Sequence, residues 1–386
     1  MKQALRMRWQ RLERVCARWL QRVAAAMRRI GQPAAEAQRP TPVRAPALEA
    51  PSTPTDPERM PDRPAWRSGS NDGDVVELAP PVVEPRVEAP APPRRGEFSD
   101  GSFTLAAGTR PYKLFVPGAD TGHARPLLVM LHGCRQHPVD FAAGTRMNEL
   151  ALVQDVVVLY PGQVQSANPL GCWNWFHEGD QQRDRGEPSL IAGMTRHIIA
   201  TQHIDPSRVY IAGLSAGGAM AAVMAATYPD LYAAVGIHSG LPHAVARNLA
   251  TALRAMRHGP PAQRARLSSA TQAQLPLIVF HGDLDTTVHP DNGEELIARV
   301  RWSSAAQLDA SRGGRMAVET GEVSGGRAFT RTLHLDAEGR CDAEHWLVHG
   351  GDHAWSGGSP TGSYTDPLGP DASAQMLRFF MAHSRR

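Results

Sequence analysis

The chain has 386 residues, 42% hydrophobic and 20% charged, enough to bury a substantial core and too many for a disulfide-stapled miniprotein. Its four cysteines match no zinc-ribbon or zinc-knuckle spacing, and no apolar run approaches the roughly 18 residues of a transmembrane helix. The net charge of +3 conceals an asymmetry: residues 1–31 hold nine bases and one acid, leaving −5 on the remainder, so the basic balance belongs to one end and does not indicate nucleic-acid binding.

In chain order, residues 1–31 are expected to form a basic amphipathic helix. Leu5, Trp9, Leu12, Cys16, Trp19, Val23, Met27 and Ile30 recur every three or four residues, with arginines on the other faces. Two partners suit such a helix: an anionic membrane or granule surface, or another face of this protein or of a second copy. Arginines interrupt any apolar h-region, so no cleavable signal is read here and a cytoplasmic or granule-surface location is expected. Residues 32–97 read as a disordered linker, since fifteen of the 32 prolines fall between Pro33 and Pro93 and little apolar surface is available to offset ordering. Residues 98–386 read as a folded domain. Short apolar runs at 127–131, 156–159, 209–211, 234–237 and 277–280 have the length of buried strands. Helical stretches at 140–153, 189–203, 216–228, 244–257 and 291–302 separate them, which predicts an α/β fold with a mostly parallel, doubly wound sheet. Ligands of such a sheet bind at the carboxyl ends of its strands.

Gly213-Leu214-Ser215-Ala216-Gly217-Gly218 follows one of these strands and opens a helix of small residues. So sharp a turn needs glycines around its central residue, and it lifts Ser215 above the sheet at a helix amino end, as a nucleophile elbow does. A serine nucleophile needs a base and a group that orients the base. In this architecture the acid comes next, and strand 277–280 runs into Asp283 and Asp285. Asp285 is preferred because the loop has turned away from the strand there, whereas Asp283 is better placed to cap loop amides. His353, in the loop after the final strand, is the expected base. His349 and His353 are four apart, but Gly350-Gly351 between them argues against a helical metal pair. His281 and His289 are expected to be loop-packing residues. The oxyanion donors would be the backbone amides of Ala216 and Cys134, the latter in His132-Gly133-Cys134-Arg135-Gln136, where His132 braces the loop.

These segments, together with Cys172-Trp173-Asn174-Trp175-Phe176 and the glycine-histidine-tryptophan run ending at Trp355, resemble the poly(3-hydroxyalkanoate) depolymerase family of esterases over about 98–386. That family is similar in turn to feruloyl and acetylxylan esterases. The resemblance implies an α/β-hydrolase fold, a Ser215–Asp285–His353 triad, oxyanion donors at Cys134 and Ala216, an ester or polyester substrate and no cofactor. It also makes an extracellular location the alternative. A peptidase and a non-catalytic scaffold are the rival readings of the same fold. Trp173 and Trp175 are expected either to wall the acyl cleft or to pack in the core. Cys134 and Cys172 each stand inside a motif whose loops should meet at the site rim, which makes them the disulfide candidates; Cys16 and Cys341 lie elsewhere.

Overall fold

A computed structural model describes residues 96–118, 122–261, 275–307, 315–336 and 338–385. The expected helix of residues 1–31 and nearly all of the 32–97 linker lie outside the described residues.

Ten strands form one sheet among the described residues: β1 (Glu97–Leu105), β2 (Gly108–Val116), β3 (Arg125–Leu131), β4 (Val157–Pro161), β5 (Ile204–Leu214), β6 (Ala234–His238), β7 (Leu277–Gly282), β8 (Arg315–Glu322), β9 (Ala328–Leu335) and β10 (Cys341–Val348). Their order is β1-β2-β4-β3-β5-β6-β7-β10-β9-β8. From β4 across to β10 the neighbours are parallel; β1 and β2 on one side, and β9 and β8 on the other, add antiparallel hairpins. The apolar runs in the sequence are the parallel strands, because a strand covered on both faces needs no polar alternation. Every residue of β3, β4, β6 and β7 is buried. The hairpin strands are half-exposed and carry no such run.

Helices cover both faces. α1 (Pro138–Thr145), α2 (Met147–Gln154) and α7 (Ala372–Met381) pack with Leu128, Met130 and Phe280 on one side. α3 (Gly186–Thr201), α4 (Ala216–Thr227), α5 (Leu249–His258) and α6 (Asp291–Gln307) lie with the cluster on the other, which holds Leu127, Val129 and Leu131. Alternate residues of β3 thus feed opposite cores, as the two-residue period of a strand requires. Two short strands, β11 (Trp355–Ser356) and β12 (Thr365–Asp366), pair separately.

Several boundaries differ from expectation, among them these three. The helical stretch 140–153 is two helices, because Arg146 adopts φ 52° and breaks the ladder between α1 and α2. The stretch expected from 244 begins as a helix only at Leu249, where Asn248 and Thr251 form a reciprocal cap. The sheet also starts at Glu97, one residue inside the expected linker.

Candidate active site

The parallel strands finish in a row, and register decides what their loops bring together. Leu131 pairs with Gly213, Leu214 with His238, and Val348 with Gly282. Ser215 therefore stands between the loop leaving β3 and the end of β6. The loops carrying Asp285 and His353 start side by side.

Ser215 sits on the turn from β5 into α4 with φ 57° and ψ −118°, a strained conformation for a residue with a side chain. The turn is closed from three sides. The Ser215 N–H donates to the His238 carbonyl at 2.9 Å. A β-carbon on Gly213 would lie 2.4 Å from the carbonyl carbon of Gly217, and one on Gly217 would lie 2.1 Å from the Leu131 oxygen. Only glycines allow this approach, and the serine is left 8% exposed.

His353 and Asp285 are joined by a 2.7 Å bond from Nδ1 to Oδ2. Because the carboxylate accepts, Nδ1 of His353 is the donor in this bond. The other oxygen, Oδ1, accepts the Thr287 and Val288 amides at 2.9 and 2.8 Å. A second imidazole, the fully buried His281, donates from Nε2 to the Val288 carbonyl at 2.8 Å and lies 3.4 Å from Asp285 Oδ2. Burial alone would push the Asp285 carboxyl up, but the charges and hydrogen bonds of His353 and His281 outweigh it and hold the group well below the usual carboxylate range.

Asp283 does something different. It accepts the Gly350 amide at 2.7 Å and bonds His349 Nδ1 at 3.0 Å. His349 and His353 thus face separate carboxylates, and no group of three metal-ligating side chains occurs among the described residues. His289 Nδ1 accepts the Asp291 amide at 3.3 Å.

On the other side of Ser215, the loop 132–136 is held by its own polar groups. His132 donates from Nδ1 to the Gly133 carbonyl at 2.8 Å and accepts the Gln163 amide on Nε2 at 3.1 Å, so its neutral tautomer is assigned by its partners. Burial lowers its pKa to about 4. Arg135 N–H donates to Leu170 at 2.8 Å. Among the described residues, the amides of Cys134 and Ala216 have no hydrogen-bond partner, whereas those of Gly133, Arg135, Gln136 and Ser215 do. Cys134 and Cys172 form a disulfide with Cα atoms 4.2 Å apart, tying this loop to the aromatic one.

In the aromatic loop, burial favours the packing alternative for both tryptophans. Trp173 is wholly buried and Trp175 is 5% exposed; both belong to the core beneath the sheet, so neither presents a face to an open cleft. Phe176, half-buried and packed edge-on against Trp175 at 5.5 Å, is more exposed than either tryptophan. Next to Asn174 of this loop lies a buried carboxylate the sequence did not single out. Glu187 accepts the Asn174 amide and side chain, each at 2.7 Å, and a bond from Gln163. Burial pushes its carboxyl up against those bonds. Its only sequence signal was its place at the start of α3. A cleft of about 770 Å³ opens beside the acid loop, lined among others by Met256, Leu284, Thr286, His289, Arg327 and Asp352.

The family described as Esterase PHB depolymerase matches residues 110–324. Poly(3-hydroxyalkanoate) depolymerase C of Paucimonas lemoignei is 37% identical over 202 residues, covering 49% of this chain and 48% of that protein. Feruloyl esterase B of Neurospora crassa is 30% identical over 226 residues, covering 54% of this chain and 73% of the other. The chain thus spans about half the length of the depolymerase it matches. Among solved structures, an acetyl xylan esterase from Aspergillus awamori aligns with TM-score 0.55 at 19% identity, over 74% of this chain and 99% of its own, a likeness of fold.

Proposed function

The chain belongs to the PHB depolymerase family of esterases, and from that premise we propose that it is a serine esterase acting on hydroxyalkanoate polyester or its oligomers through Ser215, His353 and Asp285. The observation that supports this reading is the 2.7 Å bond between His353 and a buried Asp285, on loops that leave the same carboxyl edge of the sheet as the strained turn carrying Ser215. In this reading His353 Nε2 takes the Ser215 proton as the hydroxyl attacks the ester carbonyl. Asp285 holds the tautomer and stabilises the imidazolium, and the Cys134 and Ala216 amides bind the oxyanion. The alcohol leaves with the proton from His353, and a water activated by the same histidine releases the acid.

A fluorophosphonate probe should label wild-type protein but not the Ser215→Ala variant. Ser215→Ala, His353→Ala and Asp285→Asn should each cost several orders of magnitude in turnover with the fold intact, since members of a coupled unit fail together. Asp283→Asn should be mild. A crippling Asp283→Asn with a mild Asp285→Asn would reverse the assignment of the acid. Labelling with turnover of amides rather than esters would favour a peptidase; no labelling would favour a scaffold. Feruloyl and acetyl esters belong in the same panel.

The +8 charge of residues 1–31, with Trp9 and Trp19 in one apolar periodicity, supports a second element of the proposal: this segment binds an anionic membrane or granule surface and keeps the esterase near its substrate.

A further inference from the structure

We propose that Gln136 is a positioning residue for the oxyanion site, holding the loop 132–136 so that the Cys134 amide faces the reacting carbonyl; the inference rests on the serine-esterase reading above. Gln136 is buried, and its amide is used at both ends. Oε1 accepts the Gly133 N–H at 2.9 Å. Nε2 donates to the Ser363 carbonyl at 2.9 Å and to Asp140 Oδ2 at 3.2 Å. Asp140, in the first turn of α1, in turn accepts the Ser363 amide at 2.9 Å and its hydroxyl at 2.6 Å. One side chain therefore joins the loop after β3, the start of α1 and the segment that follows His353, across 227 residues of chain.

The consequence for Cys134 follows from peptide geometry. A trans peptide is planar, so fixing one carbonyl fixes the direction of the next N–H. The Gly133 carbonyl is pinned by His132 Nδ1 at 2.8 Å and by the Gln136 N–H at 3.3 Å, which sends the Cys134 N–H the opposite way. The Gln136 side chain pins the preceding peptide through Gly133 N–H, so the peptides on both sides of Gly133 are held. The turn is strained as well, with Arg135 at φ 65°, and such a conformation persists only where its surroundings hold it. It lies against the nucleophile: a β-carbon on Gly133 would stand 3.6 Å from Ser215 Cβ. Oxyanion donors work because they are oriented before charge develops, so a residue that orients one acts on the transition state more than on the bound ester.

The test compares wild type with Gln136→Met and Gln136→Glu, using a short p-nitrophenyl ester and an arylboronic acid, which forms a tetrahedral adduct on the serine. Removing an oxyanion donor outright costs about 10²–10³-fold in kcat, so loosening one should cost about 10–100-fold. Gln136→Met should lower kcat by about that factor, leave KM within about 3-fold, and weaken the boronate by the same factor as kcat. Gln136→Glu keeps the acceptor for Gly133 N–H but, when ionised, loses the donor and faces Asp140. Its activity relative to wild type should rise as pH is lowered and the carboxyl regains its proton. A folded Gln136→Met with kcat and boronate affinity within about 2-fold of wild type would overturn the proposal, whatever its melting temperature. If Gln136→Met does not fold, a pH-independent ratio for the near-isosteric Gln136→Glu would overturn it instead. Absence of turnover and boronate binding in wild type would overturn the serine-esterase reading and this inference with it, a result distinct from an active wild type with an unaffected variant.

Discussion

Asp285 shows how a single carboxylate is divided among its neighbours: one oxygen is filled by two loop amides, while the other is shared between His353 and His281. Two residues earlier, Asp283 has the same chemistry and spends it on Gly350 and His349. The difference lies in which histidine each loop position can reach. Burial separates the aromatic residues in the same way. Trp173, with no exposed surface, is a packing residue, so Trp173→Ala should destabilise the protein by about 3–5 kcal/mol and affect short and long esters equally. For Phe176, the half-exposed ring of the loop, the expected effect is selective: Phe176→Ala should raise KM for hydroxyalkanoate oligomers more than for a p-nitrophenyl ester. Equal KM effects with a lowered melting temperature would place Phe176 in the core with its neighbours.

The strand ends bring buried polar groups into the sheet, and these set a pH dependence. His132 follows β3 and His238 ends β6; both are 1% exposed, and burial lowers their pKa values to about 4 and about 3. His238 is held neutral by its contacts, accepting the Ser356 amide on Nε2 at 3.0 Å and stacking between Phe280 and Trp355. In the unfolded chain both histidines titrate near 6.5. Below that value the unfolded state binds protons the folded state does not, so their contribution to stability is complete above about pH 6.5 and declines as pH falls toward 4. Each contributes up to about 1.4 kcal/mol per pH unit in that window. The depressed Asp285 carboxyl runs in the same direction but only below about pH 4, where the unfolded carboxylate would protonate. Thermal unfolding from pH 7.5 to 4.5 should therefore show a falling Tm. A flat or rising Tm over that range would mean that these imidazoles are not held neutral in the folded protein.

The whole molecule joins a catalytic sheet to a long amino-terminal segment of opposite charge. The second of two units of the chain spans Pro93–Arg386. Residues before it carry 14 of the chain's 32 prolines and its basic cluster. If residues 1–31 bind an anionic surface as proposed, a protein beginning at residue 96 should lose co-sedimentation with anionic vesicles and polyester granules, while keeping its turnover of a soluble short ester. Binding of the full chain should weaken with salt through its arginines, since each basic group near the surface contributes about 1 kcal/mol and is screened within a Debye length. A salt-resistant remainder should come from the tryptophans. Equal sedimentation of both proteins would sink the anchoring role and leave self-association as the better reading.

The sequence by itself determined what depends on local pattern. Continuous apolar runs announced the parallel strands because a strand covered on both faces must be apolar throughout. Gly213 and Gly217 announced the turn at Ser215 because no side chain fits there. The hairpins at the sheet edges were not legible, since half-exposed strands such as Arg315–Glu322 carry no comparable run. Nor did local pattern reveal that Trp173 is buried, that His281 leans on Asp285, or that Gln136 reaches Ser363. Those facts were decided by tertiary structure: the register of β10 on β7 sets which loops start together, and the packing of layers sets which side chains lose their water. Burial and long-range hydrogen bonding are properties of the segments that meet, and a sequence read along one chain does not contain the meeting.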